Sequence, residues 1–155
     1  MNLNFNTIKT WFSPKPANIR VGFEDVKYAI CHTEYFIINT LSIREQDCLI
    51  HGTIPSDKEE QLLNEWIDKG DTGKLRFIVY GKNASDETAK TKYDELKSFG
   101  FNGHIYGGGL FEWLLLQDIY GFTEFPTTGV CKDLLKYREL RCSEAIPSSV
   151  GLIKW

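Results

Sequence analysis

Short apolar runs alternate along the chain with stretches in which apolar residues recur three and four apart. Tyr35 to Ile38 and Leu75 to Tyr80 are compact, β-branched and aromatic, the composition of buried strands. Ile19 to Val21, Cys48 to Ile54 and Gly103 to Tyr106 give three further, weaker strand segments. Between them the period changes to that of a helix. Glu24 and Asp25 open a helix whose Val26 and Ile30 share a face. Leu62, Leu63, Trp66 and Ile67 form the stripe of a second, for which Ser56, three residues before Glu59, predicts a capping box and Gly70 a stop. Ala89, Tyr93 and Leu96 align on a third, running from about Asp86 to Gly100. Gly107-Gly108-Gly109 then introduces a fourth, LFEWLLLQDIY.

Strands alternating with helices imply parallel pairing, so the pattern predicts a three-layer α/β domain with a central, mostly parallel five-stranded sheet flanked by helices. The fourth helix is apolar almost all round its axis, with only Glu112, Gln117 and Asp118 polar. Such a helix must be covered on every side. The sheet covers one side; the segment after Pro126 or a partner covers the other, and the chain's own segment is the expected one because large exposed apolar patches are rare on monomers. Ser13-Pro14-Lys15-Pro16 resists both helix and sheet and reads as a linker. The expected organisation is an N-terminal extension over residues 1–18, the domain over 19–126 and a C-terminal extension over 127–155.

Composition narrows the class. The 155 residues are 42% hydrophobic and 25% charged, and no apolar run approaches the roughly 20 residues that cross a bilayer, so membrane insertion is not expected. The N-terminus lacks the pattern of a secretory signal, and four widely spaced cysteines do not make a disulfide scaffold, which together imply a cytoplasmic setting. The net charge of −3 is uneven: residues 19–126 carry a net −7, and the two ends together a net +4. Those ends are suited to folding back on the domain or reaching an acidic partner, and no basic stripe with interleaved aromatics points to nucleic acid.

In sheets of this kind ligands meet the carboxyl ends of the strands. The central strand ends there in Gly81, followed by Lys82, Asn83, Ala84, Ser85 and Asp86. A glycine offers no thiol, hydroxyl, imidazole or carboxylate. Three motifs accompany it: YFIIN at Tyr35 to Asn39, Gly52-Thr53-Ile54, and Gly108-Gly109-Leu110-Phe111-Glu112-Trp113. With the order of elements, these resemble the rhodanese-like family over residues 19 to 126, Asn39 replacing the family's aspartate. The resemblance implies that a nucleophilic cysteine would follow the central strand, in a loop whose backbone N–H groups face the reacting sulfur. Here that position is Gly81, and a persulfide needs a thiolate.

The remaining candidates have plainer readings. Lys82 and a helix N-terminus attract anions, but Asp86 and Glu87, expected in the first turn, already satisfy the dipole. Cys48 and His51 have metal-like spacing, yet residues three apart on a strand face opposite ways and no second pair completes a zinc site; no metal or cofactor is expected. Cys31 beside His32 and the strand residue His104 are read as packed or surface groups, and Gly107 to Gly109 as a tight turn. The resulting expectation is a non-catalytic rhodanese-like module acting in protein–protein interaction or as a structural subunit of a larger assembly. Trp11 and Phe12, with Phe111, Leu115 and Ile119, are its candidate contacts. The alternative is a sulfurtransferase or persulfide carrier using a displaced cysteine, with Cys48 the candidate.

Overall fold

The computed structural model describes residues 18–140. The candidate contacts Trp11 and Phe12, and Cys142, lie outside the described residues. The chain forms β1 (Arg20–Val21), α1 (Phe23–Ile30), β2 (Tyr35–Asn39), α2 (Ser56–Asp68), β3 (Arg76–Tyr80), α3 (Thr88–Ser98), β4 (Asn102–Tyr106) and α4 (Gly109–Tyr120), with 3₁₀ turns at Ile43–Glu45 and Leu134–Tyr137. One sheet runs in the order β1-β4-β3-β2, with every pairing parallel.

Alternation along the strands divides the core. Ile37, Ile78, Tyr80 and Tyr106 face α1 and α4, where they meet Val26, Ala29, Leu110, Trp113 and Leu114. Phe36, Ile38, Phe77, Val79 and Ile105 face α2 and α3, where they meet Leu63, Ala89, Leu96 and Phe101. Strands buried on both faces are near-continuously apolar, which is why Tyr35–Asn39 and Arg76–Tyr80 stood out in the sequence.

Among the described residues the sheet has four strands, not five. Cys48 to Ile54 touches its neighbours through two isolated bridges, Ile37 with Thr53 and Ile50 with Thr127. Gly52 explains the failure: at φ 85° it turns the backbone, Thr53 N–H and hydroxyl both bond back to Ile50 O at 3.1 and 2.6 Å, and Pro55 follows. The segment is apolar because it is buried as a loop. Ser56 likewise does not cap α2. It is the helix's first residue, Pro55 holds the N-cap position, and the Ser56 hydroxyl donates instead to Gln46 Oε1 at 2.8 Å.

The residues after Pro126 pack on the domain. His51 N–H donates to Pro126 O at 3.0 Å, Thr128 N–H donates to Leu49 O at 2.8 Å, and the Trp113 indole N–H donates to Pro126 O at 3.1 Å. Leu134 and Tyr137 join the α1/α4 core, and Tyr137 is completely buried. This segment covers one side of α4. The other side, with Leu115, Ile119 and Tyr120, stays exposed.

Candidate functional site

The parallel register brings Asn39, Tyr80 and Tyr106 level at the carboxyl edge of the sheet. Tyr80 anchors that edge from within. Its hydroxyl accepts Ile50 N–H at 3.1 Å and lies 2.8 Å from Thr53 Oγ1, while its carbonyl accepts Thr40 N–H at 3.0 Å. Burial pushes the phenol well above its ordinary range, so it stays a neutral structural group.

The loop that follows is stitched to α4. Leu110 N–H donates to Gly81 O and Phe111 N–H to Lys82 O, both at 3.0 Å. Gly109 makes this approach possible. At φ 67° it occupies the left-handed region, and a Cβ there would stand 2.8 Å from Gly81 O and 2.9 Å from Asn83 N. The paired glycines before Trp113 therefore serve a close backbone crossing.

Asp86 fills the space beside Gly81. A Cβ at position 81 would meet Asp86 Oδ2 at 2.6 Å and Cγ at 2.9 Å. The carboxylate accepts Lys82 N–H at 2.8 Å through Oδ2, and Thr88 N–H at 3.0 Å and the Thr88 hydroxyl at 2.6 Å through Oδ1. Burial alone would push this carboxyl up; the bonds from Lys82 and Thr88 and the Lys82 charge outweigh it and hold it below the usual carboxylate range. Asp86 thus lies ahead of α3 and not, as expected, in its first turn, with Glu87 at the N-cap. Its side chain bonds two residues onward, the habit that makes aspartate favour turns over helix interiors.

The other loop groups are also engaged. Ser85 N–H donates to Asn83 Oδ1 at 3.1 Å and Asp86 N–H to Asn83 O at 3.2 Å. Lys82 Nζ pairs with Glu45 Oε1 at 2.8 Å. Asn83 Nδ2 donates across the fold to Tyr137 O at 3.0 Å and Arg138 O at 3.1 Å. Ala84 and Ser85 are exposed at the loop's tip. An incoming oxyanion would find a carboxylate in place and the amides of residues 82, 85, 86 and 88 already donated.

No cysteine belongs to this loop. Cys48 is buried beside Tyr137, Sγ to Oη 3.6 Å, and burial pushes its thiol up to about 11, with Cys131 close by. Cys31 is exposed at the end of α1, while the His32 ring stacks on Tyr28 at 3.6 Å with Nδ1 2.7 Å from Tyr28 O, so the imidazole is committed to Tyr28. His104 lies half-buried in β4. Among the described residues no three His, Cys, Asp or Glu side chains group as metal ligands, and no helix is long and apolar enough to cross a membrane. Of the candidate contacts, Phe111 is half-buried against the core, whereas Leu115 and Ile119, one turn apart, are 38% and 69% exposed.

Three solved structures frame the fold. BH2092 from Bacillus halodurans is 17% identical, with 92% of this chain and 98% of that one covered at a TM-score of 0.57. A full-length protein from Lactobacillus plantarum is 18% identical, with 81% and 96% covered at 0.54. A second Lactobacillus plantarum structure is 19% identical, with 73% and 92% covered at 0.50. The fold is rhodanese-like. At these identities the likeness speaks to fold and not to activity. No protein-family model matches the chain, and a search of curated proteins returns no match.

Sequence reasoning missed what this edge depends on most. The sequence pattern places Asp86 among helix-dipole residues and carries no sign of the Asn83 clamp. The Asp-x-Thr spacing of residues 86 to 88 carries a turn signal that marks the first; the second joins residues more than 50 apart and has no local signature.

Proposed function

We propose that this chain is a non-catalytic member of the rhodanese-like fold, acting as an interaction module or structural subunit within a larger assembly. The observation that carries the reading is the loop after β3. Glycine stands where a nucleophile would be needed, and the chain's own Asp86 carboxylate occupies the adjoining space and binds Lys82 N–H. The contact surface is the outer side of α4, where Leu115, Ile119 and Tyr120 are exposed with Phe122 just beyond the helix end.

The test has two arms. Purified full-length protein, offered thiosulfate or a small persulfide donor and a thiol acceptor, should give no sulfur transfer above background. Transfer that disappears in Cys48→Ala would establish the enzyme reading instead. In the second arm, Leu115→Glu/Ile119→Glu should leave the unfolding free energy from urea titration within about 0.5 kcal/mol of wild type, as surface substitutions do, and should abolish recovery of co-purifying proteins from the native source. Recovery of monomer alone with the wild-type chain would remove the interaction reading.

A further inference from the structure

The segment from Pro126 to Tyr137 returns across the domain antiparallel to residues 48 to 51. Ile50 bridges Thr127 and Thr128 N–H donates to Leu49 O, which brings Gly129, two residues before Cys131, against Asp47 and Cys48. Gly129 keeps that crossing tight: a Cβ there would stand 2.5 Å from Asp47 O and 3.9 Å from Cys48 Cα. Cys48 belongs to the buried core, and Cys131 packs against the same cluster. Their thiols are neighbours.

Only one of the two faces outward. Cys48 is 1% exposed, whereas Cys131 is partly exposed and lines an open cleft of about 430 Å³ with Leu114, Gln117, Phe122, Val130 and Leu134. The segment they join is the one whose Tyr137 and Arg138 carbonyls hold Asn83 of the β3 loop, and whose Tyr137 hydroxyl donates to Glu45 O at 3.2 Å. In the reduced protein hydrogen bonds and packing fasten this strap to the loop.

We propose that Cys48 and Cys131 are a redox-modification site: a small-molecule disulfide oxidises them to an intramolecular disulfide that locks the strap over the loop. The thiolate of Cys131, reached through the cleft, attacks one sulfur of glutathione disulfide, forming a Cys131–glutathione mixed disulfide and expelling one glutathione thiolate. Cys48 sulfur then attacks Cys131 sulfur, losing its proton and expelling the second glutathione. Two protein thiols are oxidised and one glutathione disulfide is reduced to two glutathione molecules. The buried Cys48 thiol, held high by desolvation, makes the second step the slower one.

The experiment uses the folded, fully reduced, full-length chain. Incubation with glutathione disulfide, acid quenching and alkylation, followed by intact mass and peptide mapping, should yield a species lighter by two hydrogens in which the Cys48 and Cys131 peptides are joined. Stable glutathione on Cys131 with no internal link, or a link from Cys131 to Cys31 or Cys142, would overturn the proposal. Cys131→Ser, at a partly exposed position, should leave Cys48 reduced under the same conditions; equal oxidation of Cys48 in that variant would also overturn it. Limited proteolysis supplies the conformational readout. Cleavage between residues 132 and 140 should slow several-fold on oxidation and recover with reductant, and equal rates in the two states would refute the lock.

Discussion

Replacing Gly81 by alanine tests the packing of the β3 loop with one carbon atom. Gly81 has no positive φ, so alanine introduces no backbone strain and the whole effect comes from contact. The added Cβ would lie 2.6, 2.9 and 3.1 Å from Asp86 Oδ2, Cγ and Cβ. All three separations are too short, so the carboxylate must turn away and release Lys82 N–H together with part of its hold on Thr88. Charge-assisted bonds at a partly exposed group contribute about 0.5–1 kcal/mol each after solvent competition, which sets the cost at about 1–2 kcal/mol. For a chain of this size that lowers Tm by about 3–6 °C. Urea unfolding of wild type, Gly81→Ala, Asp86→Ala and the double variant separates the causes. With Asp86 removed, the Gly81→Ala cost should fall below about 0.5 kcal/mol, giving a coupling of about 1 kcal/mol. An unchanged cost in the Asp86→Ala background, or no cost in wild type, would refute the packing argument. The acid arm follows the same carboxylate: its folded pKa is depressed, so its contribution is present above about pH 4, the unfolded value, and is lost as pH falls further.

Further outcomes follow from the core and the thiols. Gly103→Ala should destabilise the fold by about 3 kcal/mol or more, or prevent folding, because a Cβ would stand 2.2 Å from Phe77 O between paired strands; a urea midpoint near wild type would contradict the β3–β4 register. Stability should decline as pH rises from about 8.5, where the unfolded Cys48 thiol loses its proton, toward 11, where the folded one does. Urea midpoints between pH 8.5 and 10 should show a shallower decline in Cys48→Ala, and an unaltered slope would assign the effect elsewhere. In the native protein at pH 7.5, an aromatic disulfide reagent should label Cys31 well before Cys48; equal rates would contradict the buried placement of Cys48.

What the sequence made legible was set by local periodicity. Tyr35–Asn39 and Arg76–Tyr80 are buried on both faces and announce themselves by composition alone. α2 ends at a glycine and its apolar positions follow the helical period, while α4, apolar almost all round, is marked by the glycines that admit it. Cys48 to Ile54 failed for a physical reason: apolar content records burial, and burial here comes from a loop that Tyr80, Thr53 and the strap enclose. Ser56 failed because a proline directly before it took the N-cap position, leaving the hydroxyl to a partner ten residues away.

The candidate site shows where such reading stops. That position 81 carries no nucleophile is a statement about one residue and needs only the sequence. That the adjoining space is occupied depends on a carboxylate five positions along turning back to that glycine, and on Asn83 reaching a strap more than 50 residues away. The two facts are physically independent. A loop that merely lacked a nucleophile would leave these amides open to an anion, whereas this loop commits the N–H groups of Lys82, Ser85 and Thr88 to its own side chains and ties its lysine to Glu45. A cysteine placed at position 81 would therefore not by itself make a reactive site. Its Cβ would first have to displace Asp86, and the thiolate would form beside a carboxylate that disfavours it.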